Sequence, residues 1–183
     1  MISFGARYIN SAQVQKISYV NDFIGPVEVS CVELNPKNAN DVNAVMDLVD
    51  MWDSNEKYEE IVGLNMYASS EDELTGDVRY YALTEQEDDF ENLNPSDILA
   101  LSQVNVKGGK DVELEYLQVK PEPRLIFSTH TIKRAGSAML DSLKNIFKGF
   151  KITLFSNITA TGFYEKNNFK EDELIPGKFT YDA

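Results

Sequence analysis

Residues Lys133-Arg134-Ala135-Gly136-Ser137-Ala138 carry the strongest chemical signal in this chain. Two cations stand at a turn of small residues, and the turn opens into Met139-Leu140-Asp141-Ser142-Leu143, the start of an amphipathic helix. Such a turn aims several backbone N–H groups at one point, where the helix dipole also favours negative charge. Small side chains let a phosphate approach the backbone closely. The pattern predicts a cradle for a pyrophosphate. By itself it leaves a nucleotide, a phosphosugar and coenzyme A open.

Other reactive side chains are few. Cys31 is the one cysteine, so no intramolecular disulfide can form. It follows Val27 and Val29 in an apolar alternation, which reads as a small buried thiol rather than a nucleophile. The one histidine, His130, has no Asp or Cys at ligand spacing, so no metal site is expected. The formal charge of −13 argues against binding nucleic acid, and with it against an RNA-directed activity, which needs a basic surface. It suits cationic partners, although acidity also aids solubility. The acidic run Glu85 to Glu91 fits either reading. No apolar run is long enough to span a bilayer, and the N-terminus lacks the features of a signal peptide, so a cytoplasmic, membrane-free protein is expected.

The elements that must position the turn follow from periodicity. With 183 residues the chain is expected to form a single domain, residues 1–183. Gly5 to Ile17 reads as a short strand and turn, and Pro26 to Leu34 as a strand. Val42, Val45, Val49 and Trp52 recur at helical spacing, with Asn40 or Asp41 as the cap. Tyr58, Ile61, Val62 and Met66 mark a second helix. Val78 to Leu83 is a strand, and the acidic, Pro95-bearing stretch to Asp97 a loop. Ile98 to Val106 and Asp111 to Val119 are strands joined by the hairpin turn Lys107-Gly108-Gly109-Lys110. Pro121 and Pro123 end the second strand. A long connection, Glu122 to Ile132, leads to the cradle turn. The helix after it runs to about Lys148 and closes at Gly149. Lys151 to Phe155 is a strand, Thr159 to Asn167 a short helix, and Phe169 to Glu173 and Lys178 to Tyr181 are final strands. Helices and strands share one core, so the class is α/β, of mixed α+β type.

Three segments, in order, resemble the GNAT superfamily of N-acetyltransferases. Leu117-Gln118-Val119-Lys120-Pro121 is similar to the family's L-x-V-x-P strand signature. Lys133 to Ala138 is similar to its acetyl-CoA loop, R/Q-x-x-G-x-G/A, with Lys133 in place of Arg or Gln. Asn157, Ala160, Phe163-Tyr164-Glu165-Lys166 and Phe169 are similar to N-x-x-A-x-x-x-Y-x-K-x-G-F, with Asn168 where glycine is commoner. Asparagine tolerates positive φ, so that turn is expected to survive. The match covers residues 98–170. It implies a central twisted, mostly antiparallel sheet flanked by helices on both faces. Residues 98–170 would be the cofactor-binding core and residues 1–35 N-terminal strands or an extension. The connection before Gly136 is longer than the family's usual one.

The resemblance implies acetyl-CoA as cofactor and direct acetyl transfer to a primary amine, on a small molecule or a lysine-containing acceptor. The backbone of Arg134, Ala135, Gly136, Ser137 and Ala138 would hold the pyrophosphate. Lys133 and Arg134 would add charge or simply stand exposed. The pantetheine arm would pair with the strand edge at Leu117 and Val119, with Asn157 bonding the same arm. A backbone N–H near Val119 would stabilise the carbonyl oxygen as it gains charge. A free amine must shed a proton before attack. Glu113 and Glu115 sit at alternate strand positions and share a face, so either serves as general base or both form a solvated face. Tyr164 would protonate the departing thiolate, or else be a core aromatic with a bonded tip. The competing reading is a non-catalytic module of the same fold that binds coenzyme A or a protein partner.

Overall fold

The computed structural model describes residues 5–18, 20, 24–52, 59–70, 76–121 and 130–183. Two long strands, β1 (Arg7–Ser18) and β2 (Ile24–Leu34), lead into helices α1 (Ala39–Met51) and α2 (Glu59–Ser70). Strands β3 (Asp77–Thr84), β4 (Ile98–Lys107), β5 (Asp111–Val119) and β6 (His130–Lys133) follow. Helix α3 (Ala135–Ile146), strand β7 (Lys151–Phe155), helix α4 (Thr161–Lys166), and strands β8 (Lys170–Glu171) and β9 (Lys178–Asp182) complete the order. One sheet runs β6-β1-β2-β3-β4-β5-β7-β9-β8, and its only parallel pair among the described residues is β5 with β7.

The alternation read from the sequence divides the core between the two faces of this sheet. Cys31, Tyr81, Leu83, Val112, Leu114, Ile152 and Phe179 pack under α3. Val32, Leu34, Tyr80, Ala82 and Leu101 pack under α1 and α2 with Val45, Leu48, Val62 and Met66. Helices therefore cover both faces, as expected. Cys31 is fully buried, and burial pushes its thiol up to about 12, so the thiol is inert at neutral pH.

Several boundaries differ from the sequence reading. The first strand extends to Ser18 because it is zipped to β2 from Arg7 to Ile17 and its end pairs with His130 to Lys133 on the other side. The cap of α1 is Asn38, whose side chain accepts from the N–H groups of Asn40 and Asp41. Asp41 is fully buried and works across the fold instead. One oxygen accepts from Ala6 N–H at 3.1 Å and the other from Asn35 N–H at 2.7 Å. His130 to Lys133 forms β6, paired with Ser18 to Gln15 of β1, so the end of the supposed connection is sheet. Its remainder, residues 122–129, lies outside the described residues, as do Tyr58 and the side chain of Ile61. The loop before β4 holds two 3-10 turns, α3 ends two residues short of Lys148, and β8 spans only two residues. Gly149 and Asn168 do adopt positive φ, at 85° and 64°.

Two features of β5 prepare the site. Its register with β4 shifts between Gln103↔Tyr116 and Val104↔Leu114, leaving Glu115 as an extra, bulged residue. A bulge of this kind puts two successive side chains on one side of the sheet. Leu114 and Leu117 pack on the α3 side, while Tyr116 packs on the α1–α2 side. Pairing of β5 with β7 covers only Asp111–Leu114 against Lys151–Leu154. Beyond that the two parallel strands part, and β5 runs on to Val119 with that edge unpaired among the described residues.

Candidate active site at the fork between β5 and β7

The fork exposes backbone groups in a defined sense. Lys120 N–H donates to Leu99 O at 2.9 Å on the β4 side. In an extended strand successive N–H groups point to opposite edges. Leu117 and Val119, which sit in register with Ser102 and Ala100, therefore turn their N–H and C=O groups toward the open edge. Both residues named for cofactor binding present main-chain groups where an extended ligand can add as a strand.

The first turn of α3 lies against the end of this edge. A Cβ on Gly136 would be 3.2 Å from Val119 Cγ2 and 3.1 Å from Phe163 Cζ, so only glycine allows this approach without displacement. Arg134 occupies the N-cap with φ 68° and gives no side-chain cap bond. The N–H groups of Ala135, Gly136 and Ser137 have no carbonyl one turn earlier within the helix, as at every helix start. Ala138 differs, since its N–H closes the turn on Arg134 O at 2.9 Å. Ala138 can thus offer only a small side chain to the cradle. Lys133 belongs to β6, opposite Gln15, and Arg134 is exposed at the turn. The expected pyrophosphate cradle and the open strand edge therefore meet at one place, and the residues present fit a coenzyme A-type ligand.

Helix α4 closes the same corner. Asn157 caps the 3-10 turn before it. Its Oδ1 accepts from Ala160 N–H at 3.0 Å and from Thr159 Oγ1 at 2.8 Å. That oxygen is committed, and only the amide NH2 is left for a ligand. Phe163 stacks edge-on against Tyr164 at 5.1 Å, and Tyr164 packs on Phe169 and Phe179, each at 5.9 Å. Burial raises the Tyr164 pKa above that of free tyrosine, so the phenol keeps its proton through neutral pH.

The two carboxylates lie on the opposite face, toward α1 and α2. Glu113 and Glu115 both line a cavity of about 480 Å³ with Asn65, Gln103, Asn105, Tyr116 and Phe155. Glu115 is clamped there. Gln103 Nε2 donates to one of its oxygens at 2.6 Å and Asn105 Nδ2 to the other at 3.0 Å. Asn65 of α2 donates in turn to Gln103 Oε1 at 2.9 Å. Glu113 pairs with Lys107 at 2.9 Å at the half-exposed rim, a pair of small energetic weight. Glu115 makes no ion pair with another described residue, which leaves the cavity negative.

Sequence reasoning named the carboxylates but not the clamp on Glu115. The signal was present in the hairpin turn, whose register sets Asn105 opposite Glu113 and Gln103 nearly opposite Glu115. Phe155, across the fork, was read only as strand. The acidic loop is less free than expected, because Glu85 bonds Lys16 at 3.1 Å and stands 3.8 Å from His130. No cluster of His, Cys, Asp and Glu among the described residues could hold a metal ion.

An antiparallel sheet forked at one parallel pair, with a glycine-bearing helix start beside the fork, defines the GNAT acetyltransferase fold, and this chain has it. An acetyltransferase of that family from Desulfovibrio desulfuricans, so described provisionally in its structure, is similar with a TM-score of 0.53 and 12% identity, over 83% of this chain and 94% of that one. Tetrahymena GCN5 is similar with a TM-score of 0.52 and 10% identity, over 86% of this chain and 100% of that one. No protein-family model and no curated protein matches the sequence. Among the described residues no helix is long and apolar enough to cross a membrane.

Proposed function

We propose that this protein is an acetyl-CoA-dependent N-acetyltransferase that passes its acetyl group directly to a primary amine. The observation that carries the reading is the fork. It puts a strand edge, unpaired among the described residues, and a helix start on one side and the two carboxylates on the other.

Acetyl-CoA supplies the activated acyl group. The chain's own groups meet the remaining demands. Leu117 and Val119 hold the arm by main-chain bonds, and Ala135, Gly136 and Ser137, with Lys133 and Arg134 beside them, hold the diphosphate. The N–H of Leu117 or Val119 donates to the carbonyl oxygen as negative charge develops there. Glu115 or Glu113 takes the proton of the incoming ammonium, directly or through water. Tyr164, neutral because it is buried, gives its proton to the thiolate that leaves. Cys31 supports direct transfer, because a buried thiol with a pKa of about 12 is a poor acyl carrier.

The deciding experiment is thermal unfolding with acetyl-CoA, with coenzyme A and ATP as controls. Binding to the folded state alone stabilises by about 2.7 kcal/mol at a hundredfold excess over Kd. Acetyl-CoA and coenzyme A should both raise Tm and ATP should not. Absence of any shift with acetyl-CoA would remove the basis of this function.

A further inference from the structure

The acceptor cavity is amphipathic, and its two sides are not interchangeable. Its polar wall is Glu113, Glu115 and the amides Asn65, Gln103 and Asn105, three of which are spent on holding Glu115. Val78, Leu114 and Tyr116 complete the near side, and Phe155 faces them from the far prong of the fork. Ile152 and Leu154 of β7 point into the core under α3, so Phe155, next in alternation, turns to the carboxylate face. Phe155 is 63% exposed, so its ring is open to a ligand in the cavity. Ile158 is 95% exposed in the turn after β7, and Leu174 is 89% exposed in the β8–β9 connection. That connection returns through Lys178, which pairs with Phe155 itself.

We propose that the acceptor is a small monoamine with an apolar arm, its ammonium received by Glu115 and Glu113 and its alkyl or aryl arm laid on Phe155. The inference rests on the acetyltransferase reading and names its substrate class. The occupant follows from the lining, since the exposed ring of Phe155 stands in the same cavity as Glu113 and Glu115. Cavity size fits a small molecule, because ligand pockets run from roughly 300 to 1,000 Å³. A second distal ammonium is disfavoured, because within the cavity it would have to rest on the Phe155 ring, away from Glu113 and Glu115. Phe155 thereby becomes a specificity-determining residue.

The test compares thiol release from acetyl-CoA with phenethylamine, hexylamine, putrescine, spermidine, glucosamine and a lysine-bearing peptide. The two apolar amines are expected to show the highest kcat/KM. Phe155→Ala should lower the phenethylamine-to-putrescine ratio by about tenfold, the amount expected when an aromatic contact of this size is lost. Phe155→Glu should shift preference toward putrescine and spermidine. Acetyl-CoA-induced Tm shifts of both variants confirm that they are folded. Preference for polyamines, glucosamine or the peptide in the wild type would overturn the proposal while leaving acetyl transfer intact. An unchanged ratio in Phe155→Ala, or a wild-type dimer that Phe155→Ala splits, would overturn it too. No thiol release with any amine, together with no acetyl-CoA shift, would instead fail the functional reading beneath it.

Discussion

Replacing Gly136 with alanine tests whether the first turn of α3 is pressed against the fork. The new methyl carbon would sit 3.1 Å from Phe163 Cζ, 3.2 Å from Val119 Cγ2 and 3.4 Å from Phe163 Cε2. Carbon atoms prefer roughly 3.5–4.0 Å, so the overlap is a few tenths of an ångström against two neighbours at once. Val119 is β-branched, so its methyl gives way only by leaving its preferred χ1 rotamer. Phe163 can turn only by breaking its edge-on contact with Tyr164. Overpacking of this kind costs about 1–3 kcal/mol. Alanine recovers up to about 1 kcal/mol through helix propensity, and less than that in a first turn. The net expectation is a loss of about 1 kcal/mol, which for a chain of this length lowers Tm by roughly 2–4 °C. The acetyl-CoA-induced Tm shift should shrink as well, because α3 moves relative to the open edge. In a Phe163→Leu background the clash is partly relieved, so the same substitution should become neutral or stabilising, a non-additivity of about 1 kcal/mol. If Gly136→Ala alone raises Tm, or if the two substitutions are simply additive, the helix start is not held against the fork and this account of the cradle is wrong.

Tyr164→Phe should cut kcat by about a hundredfold while leaving the acetyl-CoA Tm shift intact, and undiminished turnover would remove Tyr164 as the acid. Because burial raises its pKa, no loss of rate from tyrosine ionisation is expected across neutral pH. Glu115→Gln and Glu113→Gln should each weaken use of the amine without affecting acetyl-CoA binding. The larger drop in kcat identifies the base, and no drop in either would leave the cavity without a proton acceptor. Asp41 gives a pH signature of stability. Burial raises its pKa from 3.8 to about 6, opposed by its bonds from the Asn35 and Ala6 N–H groups, so the folded state holds this proton more tightly than the unfolded one. Its contribution is therefore full below pH 3.8 and lost as pH rises through 6. Urea unfolding at several pH values should show that Asp41→Asn removes part of the slope between pH 4 and 6, and an identical slope in the variant would refute the assignment.

What the sequence revealed and what it hid divide along local and non-local causes. The cradle turn, the hairpin at Lys107–Lys110 and the turn at Asn168 were legible because each is specified by residues that touch in sequence. Strand β6 was not, since four residues from His130 to Lys133 become a strand only by pairing with β1, more than a hundred residues earlier in the chain. The bulge at Glu115 was hidden for a similar reason. Strict alternation puts Glu113, Glu115 and Leu117 on one face, yet the register shift against Gln103 and Val104 returns Leu117 to the core under α3 while Glu115 stays with Tyr116 on the α1–α2 side. That one extra residue is what lets a single strand offer carboxylates to one face and a packed leucine, with an outward N–H, to the other.

Asn157 has a task in the fold that its sequence reading did not include. The family pattern makes it a ligand for the pantetheine arm. The structure gives its Oδ1 a prior task, accepting from Ala160 and Thr159 and so starting a 3-10 turn two residues after β7 ends at Phe155. A strand that continued would keep β7 alongside β5 and cover the Leu117 and Val119 edge. The cap stops it instead, at the point where β5 still has Glu115 to Val119 to run. Sequence position 157 therefore helps to open the fork before any ligand is present. The same short strand leaves Phe155 at its tip, facing the carboxylates, so the open strand edge and the apolar side of the carboxylate cavity share one local cause.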